Sequence, residues 1–174
     1  MDKITQSEIN TAVDILKKLE PGFLPFEIFH QVARLYVTPI IEIVLLRKNE
    51  KGEICTIVLQ REEDDPVWPG KVHTPGTVLR ATDAEGDFAD AFSRIIKKEL
   101  GNLEIEFGPE FVSYEFHQVG RGREIALVFF VVYSGEAKCG TEVKVDALPD
   151  NIVDTQLKFI KKAVDAFQSY PSAD

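Results

Sequence analysis

Only two cysteines, Cys55 and Cys139, occur in the 174 residues, with no CxxC spacing and no cluster of histidines beside them. That argues against a disulfide-built scaffold. Two reduced thiols are expected, with a single disulfide between them as the alternative, and the cytoplasm is the expected address. Long apolar runs are missing too. The longest, residues 125–133, is far too short to cross a bilayer as a helix. The N-terminal MDKITQSEIN lacks the apolar centre of a signal peptide. Positive charge is in deficit: Lys and Arg total 20 against 29 Asp and Glu, a net charge of −9. Phosphates of a nucleic-acid duplex and anionic lipid repel such a chain, so neither a duplex nor a membrane is an expected partner. A local pocket for a small phosphorylated molecule is not excluded, because net charge does not describe one cleft. There is no internal repeat and no low-complexity tract.

What is present suits one domain with an extension. Hydrophobic residues make up 44% of the chain and include twelve Phe, enough for a real core. Thr5 and Glu8 have the spacing of a capping box, and Ile9, Val13, Leu16 and Leu19 recur at helical spacing behind them. Pro21-Gly22 ends that helix, and Pro25 opens a second with Phe26, Phe29, Val32 and Ala33 on one side. Residues 1–37 therefore read as an N-terminal helical extension whose apolar faces pack on the domain or form a homodimer. Residues 38–170 read as the domain itself. Residues 39–46 and 53–61 are β-branched runs joined by Asn49-Glu50-Lys51-Gly52, a hairpin signal. A strand over 72–79 follows, then a helix over 88–100 with Phe88, Ala91, Phe92 and Ile95 at helical spacing and Gly101 as its cap. Strands over 111–119 and 124–133 flank Gly120-Arg121-Gly122-Arg123. A last helix carries Val153, Leu157, Ile160, Val164 and Phe167 as one stripe. The expected fold class is α/β, a mixed sheet sandwiched between helices.

The chemistry concentrates between Ile57 and Gly101, which reads IVLQREEDDPVWPGKVHTPGTVL, a polar stretch, then FADAFSRIIKKELG. A strand ending in Arg61, then Trp68, then Pro75-Gly76, then a helix resembles the Nudix hydrolase superfamily. That family's signature is G-x5-E-x7-R-E-U-x-E-E-x-G-U, with U a bulky aliphatic residue. The matching positions are Gly76, Arg94, Ile96, Glu99 and Gly101, and the resemblance covers residues 39–167. It implies a Nudix-like mixed sheet and hydrolysis of a nucleoside-diphosphate-linked or similar phosphorylated small molecule. Catalytic roles would fall to Glu99 and Arg94, and substrate binding to Arg61, Trp68 and Gly76.

The departures from the signature concern the metal site. The loop from Gly76 to Arg94 is four residues longer than the signature's, and Asp83, Glu85 and Asp87 lie near the place of its loop glutamate. Residues i, i+3 and i+4 share a helix face, so carboxylates at 95, 98 and 99 would converge on one ion. Here they are Ile95, Lys98 and Glu99. The run RIIKKELG is similar to that of GDP-mannose mannosyl hydrolase, a subgroup whose further metal ligand follows the last core strand, where this chain has Glu136. The resemblance thus implies a weak, ligand-assisted Mg²⁺ site, with Mn²⁺ as the alternative, held by Glu99, the Gly76 carbonyl and Glu136. The helix offers one carboxylate only, which leaves a second reading open: a catalytically inactive Nudix-fold ligand-binding or regulatory protein.

The other polar residues each carry two readings. Arg61 clamps a diphosphate or pairs with the acids of 62–65. Trp68 stacks on a base or covers the core. His73 faces a pocket or is a hydrogen-bonded structural residue. His117 lines a pocket or lies exposed at a strand end. Arg121 and Arg123 form a phosphate nest or a solvated turn. Asp90, four residues before Arg94, suggests that Arg94 partly orients its helix.

Overall fold

The structure, a computed structural model, describes residues 4–101 and 103–170. Two short helices, α1 (Gln6–Leu16) and α2 (Phe26–Ala33), precede the sheet. The sheet is built from β1 (Thr38–Lys48), β2 (Ile54–Gln60), β3 (Val72–His73), β4 (Gly76–Val78), β5 (Glu104–Val119), β6 (Gly122–Ser134) and β7 (Thr141–Lys144). Helix α3 (Ala89–Arg94) lies between β4 and β5, and α4 (Asp154–Ser169) closes the chain. The strand order is β3-β2-β1-β6-β5, with β4 also on β1 and β7 also on β2. β1 and β6 are parallel while the other pairs are antiparallel, so the sheet is mixed.

β1 runs through the centre, and its alternation sets the two layers. Ile40, Val44 and Leu46 face Phe159, Ile160 and Ala163 of α4, whereas Ile41, Ile43 and Leu45 face Ala91, Ile95 and Leu100 on the other side. Each fully buried aliphatic side chain contributes roughly 1.5–3 kcal/mol, so a two-faced central strand dominates the apolar stabilisation. Alternation also puts Glu42 in the α4 layer, the one acid within this otherwise apolar run. The hairpin at 49–52 forms as expected, with Asn49 Oδ1 accepting from the Lys51 and Glu53 N–H at 3.0 and 2.9 Å. Cys55 is buried and Cys139 exposed, and both are free thiols.

Three expectations need correction. The strand over 72–79 is broken: β3 pairs with β2 and β4 with β1. Between them the Thr74 N–H turns to Gln156 Oε1 at 2.6 Å and Pro75 has no N–H to give, so the ladder stops. The helix over 88–100 is α-helical only to Arg94, and Ile95–Glu99 forms a wider π turn before Gly101 at φ +65°. The α4 stripe is rotated: Leu157 is 42% exposed while Gln156 is buried, because Glu42 and Thr74 give the amide partners. Of the two alternatives for the N-terminal helices, packing on the domain is not seen for α1. α1 buries no residue and α2 buries only Ala33. The capping box at Thr5 and Glu8 is present, so local hydrogen bonding rather than packing defines α1.

Candidate functional site

A cavity of ≈ 660 Å³ opens where β1 and β6 begin, with the segment after α1 on one wall and α4 on another. Two carboxyl groups converge at Gly76, which pairs with Glu42 across the β1–β4 ladder. The Gly76 N–H donates to Glu99 Oε2 at 3.3 Å. A Cβ at position 76 would lie 2.8 Å from the Glu42 carboxyl carbon, so only glycine leaves room for that side chain. Thr74 Oγ1 donates to Glu42 Oε2 at 2.8 Å, and Gln156 Nε2 lies 3.5 Å from the same oxygen. These are the residues that broke the strand and rotated the α4 stripe.

Burial sets the protonation of both acids. It raises Glu42 from 4.5 to about 8; the Thr74 hydrogen bond and Arg61 oppose the rise, while Glu124 and Glu99 add to it. It raises Glu99 to about 7, against the Gly76 N–H and Arg61. His73 moves the other way, from 6.5 to about 4, through burial and the nearby Arg61 charge; its Nδ1 lies 2.7 Å from the Thr74 carbonyl. Glu42 lines the cavity, while Glu99 lies behind Gly76 and meets it through the glycine N–H; carboxyls poised near neutrality are suited to proton transfer.

Above them sits an aromatic and cationic wall. Asp65 Oδ1 accepts from the Val67 and Trp68 N–H at 2.9 and 2.8 Å, and Oδ2 pairs with Arg61 Nη1 at 2.9 Å. One acid thus holds the Arg61 side chain and the Trp68 backbone, and Arg61 lies 5.0 Å from the centre of the Trp68 ring. Of the two readings of Arg61, the pairing with the acids of 62–65 is seen, with Asp65, and the side chain also lines the cavity. Phe23 and Phe29 from the N-terminal segment also line it, as do His117 and Arg121.

The other expected residues lie elsewhere. Arg94 is bound to both carboxylate oxygens of Asp83, and its Nη2 donates to the Val78 carbonyl at 3.2 Å. It does not line the cavity. Asp90 instead accepts from the Ala84 N–H at 2.8 Å, so Asp83 is the acid that orients Arg94. Glu136 is exposed in the β6–β7 connection, at the far end of β6 from the cavity. Gly76 meets Glu99 through its N–H rather than its carbonyl. Ile95 is fully buried and Lys98 is exposed. Among the described residues no group of three or more His, Cys, Asp or Glu forms a metal cage. The donor set that fits a divalent ion is the Glu42–Glu99 pair, since Mg²⁺ is commonly held by one or two carboxylates and completed by water and substrate phosphate.

At the level of sequence no family model and no curated protein matches the chain. Solved structures do. The NUDIX domain of Shewanella oneidensis NrtR, solved with ADP ribose, has a TM-score of 0.58 at 14% identity, covering 94% of this chain and 99% of that one. Caenorhabditis elegans Ap4A hydrolase has a TM-score of 0.59 at 15% identity over 76% of this chain and 99% of its own. The MutT protein of Methanosarcina mazei Go1 has 0.56 at 18% over 76% and 97%. The fold is the Nudix fold. On it, Glu99 keeps a place in the helix that follows the Gly76 loop. Glu42, Thr74, Gln156 and Glu124 line the cavity and stand at no motif position. The available signal was a single acid in the apolar run PIIEIVLL, and an acid opening EIALVFFVV.

Proposed function

We propose that this chain is a Nudix-like hydrolase acting on a nucleoside-diphosphate-linked or similar phosphorylated small molecule, bound in the cavity above Gly76. The observation that carries the reading is the pair Glu42 and Glu99, two carboxyls with pKa values near neutrality that meet at one glycine beneath Arg61 and Trp68. Trp68 offers a face for a base, Arg61 a charge for a diphosphate, and the Glu99 carboxylate, ionised above about pH 7, can take a proton from water. Glu42, protonated at that pH, can return one to the leaving group. A Mg²⁺ or Mn²⁺ ion carried in by the diphosphate would be held by the Glu99 carboxylate and would neutralise phosphate charge; Glu42 would join it only after giving up its proton. Arg94 positions the helix through Asp83 and acts on the reaction only through it. The ligand bound to NrtR and the substrate named for the nematode enzyme, both adenosine-derived, support a nucleotide-derived ligand here. The GDP-mannose hydrolase likeness of RIIKKELG adds nucleotide sugars to the substrates worth testing.

One observation favours a second reading, ligand binding without turnover. Glu42 is held protonated at neutral pH and so offers no charge to a cation in the ligand-free protein. Thermal melting against nucleotide sugars, ADP ribose and dinucleoside polyphosphates, with product analysis of the same samples, separates the two. A ligand that raises the melting temperature and is consumed supports hydrolysis; one that raises it and is recovered intact supports a binding protein. The reading includes a cytoplasmic address, in keeping with the two free thiols. It also includes a homodimer through the N-terminal helices, whose Ile9, Val13, Leu16 and Phe26 are exposed; light scattering at twice the chain mass is the expected result.

A further inference from the structure

The floor of the cavity holds an acceptor that the hydrolysis does not use. Glu124, on β6, is 1% exposed yet lines the cavity. Its Oε1 accepts from Arg121 Nε at 2.5 Å. Its Oε2 lies 3.4 Å from His117 Nε2 but makes no hydrogen bond to any described residue. A buried acceptor left without a donor is costly, and more so when charged, so an oxygen of this kind on a cavity-lining residue is a fixed place for a ligand's donor.

The chemistry of that donor follows from the neighbours. Burial works to raise the Glu124 pKa, but the neighbouring His117 and Arg121 outweigh it and hold the carboxyl below its usual range. The group is therefore an anion at neutral pH and accepts only. Arg121, with His117 beside it, already balances its charge, so the missing partner is a neutral N–H rather than another cation. The Arg121 guanidinium lies 5.7 Å from the ring centres of both Trp68 and Phe29, so aromatic faces flank the acceptor and favour a planar ring.

We propose that Glu124 is a specificity-determining residue that reads the nucleobase of the ligand, selecting a base with an exocyclic amino group over one with a carbonyl at the same place. This rests on the cavity being the site of a nucleotide-derived ligand. A carbonyl opposite Oε2 sets two acceptors face to face, with neither satisfied, and a site built for a donor rejects such an analogue strongly.

Trp68 is the only tryptophan in the chain and lines the cavity, so its fluorescence reports occupancy. The whole protein is titrated, without divalent cation, with GDP, ADP and CDP and with the counterparts IDP and UDP. ADP to IDP and CDP to UDP exchange an amino group for a carbonyl; GDP to IDP deletes one. At least one amino-bearing member should bind about tenfold or more tightly than its counterpart, and Glu124→Gln should shrink that ratio to about threefold or less. Equal affinities in all three comparisons, or an undiminished ratio in folded Glu124→Gln, would overturn the assignment while leaving the cavity a nucleotide site. No response to any nucleotide would remove the functional reading and this inference with it. Where the variant does not fold, the wild-type comparison decides alone.

Discussion

Glu42 and Glu99 keep protons at neutral pH that ordinary glutamates have lost, and the folded chain carries the consequence. Between 4.5 and about 8 the native state holds a proton on Glu42 that the unfolded chain has released, so stability falls as pH rises through that window. Glu99 acts with the same sign between 4.5 and about 7. His73 opposes them: with its pKa pushed down to about 4, the native state binds fewer protons than the unfolded chain up to 6.5, and stability rises with pH there. Below pH 6.5 His73 offsets only one of the two glutamates, and above it the glutamates act unopposed. Urea unfolding should show a loss of about 1–2 kcal/mol from pH 6.5 to 8, and Glu42→Gln should remove most of it. An equal loss in the variant would mean that Glu42 is already ionised at pH 6.5. At this scale the sequence pointed to Glu99, Arg61 and Trp68 through their motif positions, and the fold brings Arg61 and Trp68 to the cavity and Glu99 to Gly76. Glu42 and Glu124 could not be found by motif, because their roles come from strands that are adjacent only in the sheet.

At the scale of elements, the legible features were those set by local chemistry: the Asn49–Gly52 hairpin, the capping box of α1 and the Gly101 cap. The misread ones were decided by distant partners. Gln156 entered the core because Glu42 and Thr74 receive it, and β3 parts from β4 because Thr74 hydrogen-bonds to α4. Nor does helical spacing distinguish an α turn from the π turn at Ile95–Glu99. The Arg94–Asp83 pair ties α3 to the long loop after β4, with side chains only 17% and 9% exposed. Arg94→Ala should cost about 2–4 kcal/mol in urea unfolding, since it strands Asp83 and the Val78 carbonyl, and Asp83→Asn in the same chain should recover part of it. Nucleotide affinity should stay within about threefold, because Arg94 does not touch the cavity. A large loss of affinity with unchanged stability would instead make Arg94 a ligand-contacting residue.

At the scale of the molecule, the two halves of the N-terminal extension do different work. α1 buries nothing, whereas residues 21–37 build a wall of the cavity through Phe23, Phe29 and Tyr36. Removing residues 1–20 should leave the melting temperature of the protomer within about 2 °C and preserve the Trp68 response to nucleotides. Removing residues 1–37 should abolish that response, and a chain that still binds after the longer cut would place the ligand elsewhere. The α/β class and its layering were legible from hydrophobic periodicity, because β1 and the terminal helix are long and strongly patterned. The cavity was not, because it exists only where the extension, β1, β6 and α4 meet. The central claim is that Glu99 drives hydrolysis of a nucleotide-derived molecule in that cavity. Its most direct test incubates wild type and Glu99→Gln, in molar excess, with a mixed pool of nucleotide sugars, ADP ribose and dinucleoside polyphosphates with Mg²⁺ at pH 6, 7 and 8. Wild type should consume at least one member, faster at pH 7 than at pH 6 because base and metal-ligand roles alike need the carboxylate, and the variant should be about 100-fold slower or worse. An untouched pool, or consumption at the same rate in Glu99→Gln, would contradict it.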